Sequence, residues 1–488
     1  MEKPRNAVIL DQALDQVVDV VVVGGGISGL TVSLRLQKQL QNHGICLTEA
    51  SDRGGGSIIT GRNSAGFQWE EGPNSFSPSP DILSLVAELG LSGQLVLADR
   101  RLPRYVYWNQ QLLPVPMSPQ AAISTPLLSG WGKLRAAVGA LGFVRPASSG
   151  EESIDRFMRR HLGAEVAERL VAPFVSGVYA GDPQQLSMAA AFRRVASLEQ
   201  NYGGLLAGAV LSRRNQPKPV LHPSLPVTKP GELGSLRQGL ESLPQAIAEN
   251  FRGLGGQIQF NWQLQKLERQ GDRSYRLLYQ TPTGERLLHA KSVVLTTPAY
   301  VTGEILQDLA PQVSARLRQI YYPSVAVVAL AYPKSAFRAE YADLYGFGNL
   351  NPRGQGIRTL GTIWASSLFP DRAPADFHLL LNFIGGTTDP EVGQLTQDQI
   401  VQAVDRDLGG MLLARPAEPV VLNVRLWRQA IPQYGYGHLE TIALLEESLA
   451  RLPGLYVCSN YQVGVALGDC ISQAQAIAAQ ISAEYLNR

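Results

Sequence analysis

The spacing of apolar residues divides the chain into segments of different structure. Near the N-terminus, the β-branched run at 18–23, interrupted only by Asp19, is typical of a strand buried on both faces. A helix is predicted at 28–41 and a second apolar strand at 44–48. This strand–helix–strand order predicts a parallel sheet with helices packed on its faces.

The middle of the chain has helical spacing instead. Residues 151–211 repeat apolar positions at intervals of three and four, as at Ile154, Phe157, Met158 and Leu162. A proline-rich segment at 213–232 has no periodicity, and we expect an irregular connector there. Beyond it, the pattern predicts strands at 257–261, 276–279, 292–295, 325–332, 378–384 and 455–459, and a C-terminal helix at 469–485.

Length and composition exclude several classes of protein. The 488 residues are 45% hydrophobic, enough for two or three domains with apolar cores. The net charge is +2 and no basic run is present, so we expect no nucleic-acid partner. The cysteines and histidines lack ligand spacing, so we expect no metal site. Residues 1–16 lack the pattern of a signal or transit peptide, and no apolar stretch is long enough to span a membrane.

The first predicted strand ends in a glycine-rich turn. Gly24, Gly26 and Gly29 fit G-x-G-x-x-G, in which glycines allow a tight turn, close approach to a pyrophosphate and close packing of helix on strand. The following helix would direct its N-terminal N–H groups at the phosphates. Glu49 lies 20 residues past Gly29, the spacing of an acceptor for a ribose 2′-hydroxyl. The combination predicts a dinucleotide site, and the alternative is a plain glycine-rich turn in an α/β domain.

The residues after Glu49 favour FAD over NAD. Residues 51–60 read SDRGGGSIIT, which resembles the D-R-x-G-G stretch of the flavin amine oxidase superfamily. The resemblance implies that Arg53 and the glycines after it run along the pyrophosphate. Gly54 and Ser57 depart from that stretch, which usually has an aliphatic residue at the first position and Arg, Asn or Trp at the second. The alternative is a surface turn with a solvated arginine.

Longer stretches resemble the protoporphyrinogen oxidase family, and more closely its chloroplast and cyanobacterial branch. They include WEEGPNSFSPS at 69–79, KLRAAVGALGFVRP at 133–146, FVSGVYAGDP within 151–192, GSLRQGLESLPQAI at 234–247 and GTIWASSLFPDRAP at 361–374. The resemblance implies an α/β fold with three parts. These are a discontinuous Rossmann-like FAD-binding domain (17–95, 230–300 and 415–488), a largely helical, membrane-docking domain (96–212) and a substrate-binding domain with a mixed sheet (301–414).

The resemblance also implies which residues contact FAD. The turn at 72–75 would bring backbone against the flavin, and Leu264 matches a position whose backbone meets the adenine side. Residues 465–467 match the flavin-ring segment, ahead of a helix whose N-terminus would stabilise charge on the reduced ring. The implied cofactor-binding residues are Gly24, Gly25, Gly26, Ile27, Ser28, Gly29, Glu49, Ala50, Arg53, Gly56, Ser57, Gly72, Pro73, Asn74, Ser75, Leu264, Trp427, Val465, Ala466 and Leu467.

The implied reaction is the oxygen-dependent oxidation of protoporphyrinogen IX to protoporphyrin IX, a step of haem and chlorophyll biosynthesis. FAD would accept hydride from the macrocycle and dioxygen would reoxidise it to hydrogen peroxide, so no side chain is assigned as catalytic. Arg104 matches an arginine that binds a propionate, and a buried cation there would need a carboxylate partner. The other implied substrate-binding residues are Gly177, Leu350, Ile363 and Phe383. From the residues alone, core packing is the alternative for the last three and a helix-ending turn for the first.

An apolar segment at 127–143, LLSGWGKLRAAVGALGF, contains Lys133 and Arg135, which favours an interfacial helix over a spanning one. A helix buried against the FAD-binding domain is the alternative. The resemblance implies an intracellular protein, peripheral on a plastid, thylakoid or cyanobacterial cytoplasmic membrane. The sequence leaves open whether the chain forms a homodimer.

Other functions on the same frame remain open. The chain could oxidise coproporphyrinogen III, an amine or a carotenoid, and Trp427, Tyr434 and Tyr436 offer the rings that an amine cage needs. A second arginine in the cavity would favour the four carboxylates of coproporphyrinogen. A non-enzymatic protein similar to Rab escort and GDP-dissociation-inhibitor proteins is disfavoured by the intact glycine turn and Glu49.

Overall fold

The computed structural model describes residues 16–144, 150–214 and 231–487, together with Pro226, Thr228 and Lys229. The predictions for 1–16 and for the connector at 213–232 lie almost entirely outside the described residues. The strands in the described ranges are β1 (Gln16–Val23), β2 (Ile45–Glu49), β3 (Thr60–Arg62), β4 (Gln68–Glu70), β5 (Leu95–Leu97), β6 (Arg104–Trp108), β7 (Gln111–Pro114), β8 (Gly234–Leu236), β9 (Gln257–Phe260), β10 (Gln263–Arg269), β11 (Tyr275–Thr281), β12 (Gly284–Leu295), β13 (Val325–Pro333), β14 (Gly348–Leu350), β15 (Thr359–Trp364), β16 (Phe377–Gly385), β17 (Val420–Trp427) and β18 (Leu455–Val457).

The described ranges contain the helices that the spacing predicts and several that it does not predict. They are α1 (Ile27–Gln39), α2 (Pro80–Glu88), α3 (Pro119–Ser124), α4 (Gly130–Ala140), α5 (Ile154–Leu162), α6 (Ala164–Val166), α7 (Ala172–Tyr179), α8 (Met188–Ala191), α9 (Arg193–Tyr202), α10 (Leu205–Arg214), α11 (Ser242–Gly253), α12 (Ala299–Ile305), α13 (Pro311–Arg318), α14 (Ala365–Leu368), α15 (Gln397–Met411), α16 (His438–Ala450), α17 (Asn460–Val463) and α18 (Leu467–Leu486). A π-helical turn (Ala167–Val171) joins α6 to α7. Short 3-10 turns lie at Ser92–Gln94, Lys334–Ala336, Ala339–Tyr341, Pro370–Arg372 and Pro390–Gln394.

The first large sheet has the parallel core that the N-terminal pattern predicts. Its order is β10-β11-β12-β1-β2-β9, with β18 beside the end of β12. β1 is parallel to β12 and β2, whereas β10 and β11 form an antiparallel extension. Val20 and Val22 face a core built with α1, α11 and α18, and Val21 and Val23 face one built with β11, α12 and α16. Apolar groups cover both faces, and this explains why the run at 18–23 does not alternate with polar residues.

The second large sheet is mixed. Its order is β17-β13-β16-β15-β14-β6-β7, in which β14 and β6 are parallel and the other pairs are antiparallel. The strands predicted at 325–332 and 378–384 are confirmed as β13 and β16. One face packs on α15, whose Val404 and Leu408 lie against Val328 and Leu380. The opposite face is called the substrate face below.

The helical spacing at 151–211 is confirmed by α5 to α10. The segment at 127–143 forms α4, and this helix packs on α5, where Arg135 Nη1 donates to the carbonyl oxygen of His161 at 3.1 Å. A Cβ on Gly139 would overlap the same carbonyl, so the two helices pack closely. The outer face of α4 stays exposed, with Trp131 at 78%. In the described ranges, no helix combines the length and the apolarity needed to cross a bilayer.

Candidate functional site

The glycine turn after β1 is tightly packed except at one residue. A Cβ on Gly29 would overlap the carbonyl oxygen of Gly24. A Cβ on Gly24, whose φ is +107°, would lie 2.7 Å from Thr296 Oγ1, and one on Gly25 would lie 2.9 Å from the Glu49 side chain. A Cβ on Gly26 would meet nothing within 4 Å. The turn therefore needs glycine for its own packing at three positions and leaves open space at the fourth.

The carboxylate of Glu49 is fixed beside this turn. Its Oε2 accepts the Gly25 N–H at 2.5 Å, and its Oε1 accepts the N–H and hydroxyl of Ser51 at 2.8 and 2.7 Å. Because an ionised carboxylate offers about four acceptor positions, capacity remains for a ligand hydroxyl. Leu264 lies near the same end of β2, since the N–H of Trp262 donates to the Glu49 carbonyl at 2.9 Å.

The loop that carries Arg53 is tied to the glycine turn. The N–H of Gly55 donates to the Gly25 carbonyl at 2.8 Å. Arg53 Nη1 donates to the Gly54 carbonyl at 2.9 Å, and its Nη2 donates to the Gly56 carbonyl. Arg53 therefore stabilises the conformation of its own loop, and its side chain is not merely solvated. Ala50 and Ser57 lie exposed on this rim.

The turn at 72–75, called the flavin turn below, is held from two sides. A Cβ on Gly72 would overlap the Ser57 carbonyl, so the turn packs directly on the Arg53 loop. Trp427 Nε1 donates to the Glu71 carbonyl at 2.7 Å, immediately before the turn. Asn74 is 6% exposed, and its Nδ2 has no partner among the described atoms. Pro73 and Ser75 are half-buried beside it.

The start of α18 closes the same region. Ser28, in the first turn of α1, lies within hydrogen-bonding reach of the Cys470 thiol in the first turn of α18. Ile27 begins α1, Val465 packs between the sheet core and the helical core, and residues 466–467 begin α18. No side chain caps either helix start. Two helix N-termini with uncapped N–H groups thus converge where a dinucleotide is predicted.

These features fit FAD. The open space at Gly26 is a cradle for a phosphate, because the surrounding glycines are packed and this one is not. Glu49 offers a fixed acceptor, and a 2′-phosphate there would be repelled by its charge. The unpartnered Asn74 amide offers a donor beside the flavin turn. These three features are themselves among the twenty predicted cofactor residues, and Trp427 is joined to the flavin turn through the Glu71 carbonyl.

The substrate face brings four of the five predicted substrate residues together. Residues opposite one another in neighbouring strands point to the same face, as do residues two apart in one strand. One row runs Val106, Leu350, Gly361, Phe383, and the next runs Arg104, Gly348, Ile363, Leu381. Each row contains one glycine, and both glycines are closely packed: a Cβ on Gly361 would lie 3.1 Å from Leu350 Cδ2, and one on Gly348 would overlap the Thr362 carbonyl oxygen.

The fifth residue, Gly177, packs on this face from the helix side. It is in α7, and a Cβ there would overlap Leu350 Cδ2. Gly177 itself is helical, and the helix ends two residues later at Tyr179, with Ala180 in the left-handed region, so the turn predicted in GVYAGDP follows Gly177 directly. Leu350 thus packs between α7 and the predicted face, with Gly177 on one side of its side chain and Gly361 on the other.

Arg104 lies at one end of the face. Its Nη2 donates to the Gly231 carbonyl at 3.1 Å, and its guanidinium carbon is 5.3 Å from the centre of the Phe347 ring. Burial lowers its pKa. Among the described residues no ion pair includes Arg104, so the carboxylate partner that its burial requires is not supplied by this part of the chain.

The rings proposed for an amine cage do not come together. The Trp427 indole is bound to the Glu71 carbonyl, while Tyr434 is buried and stacks on His438 at 4.5 Å. Tyr436 is 50% exposed. Over the described part of the chain, no ring contact joins Trp427 to either tyrosine.

Sequence reasoning missed Gly348, Gly361 and Thr296. The first two lie inside β14 and β15, where glycine often marks close approach of a ligand or another backbone, and this is the signal that could have found them. Thr296 Oγ1 donates to the carbonyls of Val23 and Gly24 at 2.9 Å each, and it follows the strand at 292–295. Nothing local in its sequence marks that role.

The free cysteines Cys46, Cys458 and Cys470 are buried. Burial raises the pKa of Cys46 to about 12 and that of Cys470 to about 11, so these thiols stay protonated near neutral pH. In the described ranges, no group of three acidic, cysteine or histidine side chains is placed to hold a metal ion.

A family model described as flavin containing amine oxidoreductase matches residues 27–482. The chain therefore belongs to this family, and it is a flavin-dependent oxidoreductase with FAD as its cofactor. The match begins at the start of α1 and ends within α18, and so it covers the elements of the dinucleotide site except β1 and the first three glycines of the turn.

Relatives within the family are more specific. The chain is 45% identical to protoporphyrinogen oxidase, chloroplastic, from Oryza sativa subsp. japonica, over 96% of this chain and 89% of that one. It is 31% identical to coproporphyrinogen III oxidase from Bacillus subtilis (strain 168), over 94% and 96%. A crystal structure from Exiguobacterium sp. 255-15, assigned as a protoporphyrinogen oxidase, has a TM-score of 0.79 and 26% identity, over 96% and 99%. The chain is thus a member of the protoporphyrinogen oxidase group of the family.

Proposed function

We propose that the protein oxidises protoporphyrinogen IX to protoporphyrin IX with dioxygen as the final acceptor. The observation that carries this proposal is the substrate face, where Arg104, Leu350, Ile363 and Phe383 share one side of the sheet and Gly177 packs on Leu350. A substrate cavity between this face and α7, with apolar walls and one half-buried cation, suits a disc-shaped tetrapyrrole with carboxylates on one edge.

Arg104 binds a propionate in this proposal. Its guanidinium is half-buried without a carboxylate from the described residues, and a substrate propionate would supply the missing charge. Leu350 and Ile363 pack against one pyrrole ring and Phe383 stacks on another. Gly177 keeps α7 close to Leu350 and sets the height of the cavity.

FAD is held by the residues around the glycine turn. Gly26 leaves room for the pyrophosphate, Glu49 accepts from the ribose, and the flavin turn lies along the ring system. When bound, FAD supplies two-electron acceptor chemistry, which dioxygen completes by forming hydrogen peroxide. The protein groups orient the macrocycle and exclude water, and no side chain on the substrate face is placed as a general base.

Coproporphyrinogen III is the second candidate substrate because another arginine shares the substrate face. Arg425 is in register with Val327, which is opposite Phe383. It lies five strand spacings from Arg104, or about 24 Å at about 4.8 Å per strand. Its Nε is 3.9 Å from Glu71 Oε2, beyond hydrogen-bonding distance, so a carboxylate of the substrate could compete for it. Arg425 is, however, 44% exposed in its side chain, which favours a role at the rim.

The test compares the two porphyrinogens in air by porphyrin fluorescence. We expect faster turnover of protoporphyrinogen IX and a decrease of about 10- to 100-fold in kcat/KM for Arg104→Ala, the loss of one charge-assisted hydrogen bond. Arg101→Ala is the matched control, since Arg101 is exposed and, within the part of the chain that the structure describes, its ion pair is with Asp99. If the protein turns over coproporphyrinogen III faster and Arg425→Ala loses that preference, coproporphyrinogen III replaces protoporphyrinogen IX as the proposed substrate. Normal activity of Arg104→Ala would refute the propionate anchor.

We also propose that the protein binds membranes peripherally through α4. Trp131, Leu134, Val138 and Leu141 follow helical spacing on one exposed face. Arg135 is turned inward onto the carbonyls that end α5, so it does not interrupt this face. An amphipathic face of this kind inserts among lipid headgroups without spanning the bilayer. The apolar macrocycle could then enter the cavity from the lipid phase.

A further inference from the structure

We propose that Glu70 and Arg372 form a positioning element that fixes the flavin turn relative to the substrate face. The proposal rests on the proposed function, because it assigns these residues the task of setting the separation of cofactor and porphyrinogen. Neither residue belongs to the glycine turn or to the cavity walls described above.

The pair is buried and its hydrogen-bonding groups are well occupied. Arg372 Nη1 lies 3.0 Å from Glu70 Oε1, and the side chains are 4% and 1% exposed. Glu70 Oε1 also accepts the Leu240 N–H at 3.0 Å, and its Oε2 accepts the Thr60 hydroxyl at 2.7 Å. Arg372 Nη2 donates to Ser235 Oγ at 2.9 Å. Burial raises the pKa of Glu70 and lowers that of Arg372, so each charge depends on the other.

The position of the pair connects the two halves of the site. Glu70 ends β4, and only Glu71 separates it from the flavin turn. Arg372 is in the 3-10 turn between β15, which carries Ile363, and β16, which carries Phe383. The ion pair therefore spans directly from the cofactor side to the connection between two substrate strands.

The same network continues to the pyrophosphate loop. Thr60 Oγ1, which donates to Glu70, accepts the Glu241 N–H at 3.1 Å. Glu241 Oε1 in turn lies 3.8 Å from Arg53 Nη1. A continuous path of polar contacts thus runs from Arg372 to Arg53. A displacement of the substrate strands would therefore shift both the flavin turn and the loop that carries Arg53.

An ion pair suits positioning better than it suits stability. Replacing a buried ion pair by apolar groups is often neutral or stabilising, so stability alone gives little reason for this pair. Its directional contacts specify one arrangement of two elements that are 302 residues apart in the chain. Reactive groups displaced by about 1 Å lose about 100-fold in rate, so an arrangement of this kind has direct consequences for catalysis.

The experiment uses the FAD-loaded protein and three variants: Arg372→Met, Glu70→Gln and the double variant. Arg237→Met is the matched control. Arg237 pairs on the surface with Asp371, which precedes Arg372 in the chain, and the two side chains are 59% and 70% exposed. The measurements are Tm, the FAD Kd, the visible circular dichroism of the bound flavin, and the anaerobic single-turnover rate of flavin reduction by protoporphyrinogen IX.

We expect both single variants to lose stability and the double variant to recover most of it, because no unpaired charge stays buried. The flavin dichroism should stay altered in the double variant. Its rate of flavin reduction at saturating protoporphyrinogen IX should stay about tenfold or more below wild type, with the substrate concentration for half-maximal rate little changed. The control should match wild type in every measurement.

A double variant that recovers both stability and the wild-type flavin signal and rate would show a purely structural pair and overturn the proposal. The dichroism and FAD Kd test it without substrate. Consequently, a wild-type protein that fails to oxidise protoporphyrinogen would refute the proposed function while these two measurements still decide the role of the pair. If the single variants do not fold, the flavin dichroism and reduction rate of the double variant, compared with wild type, decide whether the pair has a positioning role.

Discussion

Gly26 and Gly29 lie three residues apart, and we expect opposite effects from adding one methyl group to each. A Cβ on Gly26 meets no protein atom within 4 Å, and its φ of −69° suits any residue. A Cβ on Gly29 overlaps the Gly24 carbonyl oxygen, much closer than the 3.0 Å that real Cβ atoms keep from their neighbours. Gly26→Ala should therefore leave the apoprotein stable but weaken FAD binding, and Gly29→Ala should destabilise the apoprotein itself.

The magnitudes follow from the two kinds of contact. Overpacking at Gly29 should cost about 1–3 kcal/mol in the free energy of unfolding without FAD. At a free FAD concentration about 100 times its Kd, binding stabilises the wild type by about 2.7 kcal/mol. If Gly26→Ala weakens Kd about 100-fold, that stabilisation falls to about 0.4 kcal/mol at the same concentration.

Thermal unfolding with and without added FAD separates these effects, and flavin fluorescence titration gives Kd directly. Gly253→Ala is the control, since a Cβ there also meets open space but at the far end of α11. An apoprotein of Gly26→Ala with wild-type Tm and a wild-type FAD Kd would refute the reasoning, because the space above Gly26 would then not hold the cofactor.

Three further changes test other parts of the structure. Gly177→Val should lower kcat/KM about tenfold or more, because the new side chain overlaps Leu350. A second change, Leu350→Ala, should restore part of the lost activity. Unchanged kinetics of the single variant would contradict the proposed cavity. Burial lowers the pKa of His438 to about 4, so the unfolded chain, with its ordinary value of 6.5, binds the proton first as the pH falls. Stability should therefore decrease from pH 6.5 to 4, and His438→Gln should flatten that decrease in urea titrations; equal slopes would contradict it. Trp131→Ser should weaken binding to anionic vesicles about tenfold in a sedimentation assay. Leu254→Ser changes an exposed residue on another face and should leave vesicle binding unchanged. Equal losses in the two variants would argue against α4 as the membrane-binding helix.

Local sequence determined the dinucleotide half of the site. The β-branched run at 18–23, the glycine spacing and Glu49 predict β1, the turn and the end of β2, because backbone freedom and burial at these residues depend on neighbours within one strand–helix–strand unit. The helix at 28–41 and the strand at 44–48 were correct to within two residues at each end. The residues adjacent to Arg53 were also enough to predict that it lies in a loop beside the glycine turn.

Tertiary structure alone decided the substrate half and its connection to the cofactor. Arg104, Leu350, Ile363 and Phe383 share one face only because β6, β14, β15 and β16 pair in a particular register, and a shift by one residue would turn each side chain to the other face. Neither the close packing at Gly348 and Gly361 nor the pairing of Glu70 with Arg372 can be predicted from local sequence. Contacts between residues hundreds of positions apart depend on how whole elements pack, and periodicity within one element carries no information about that packing.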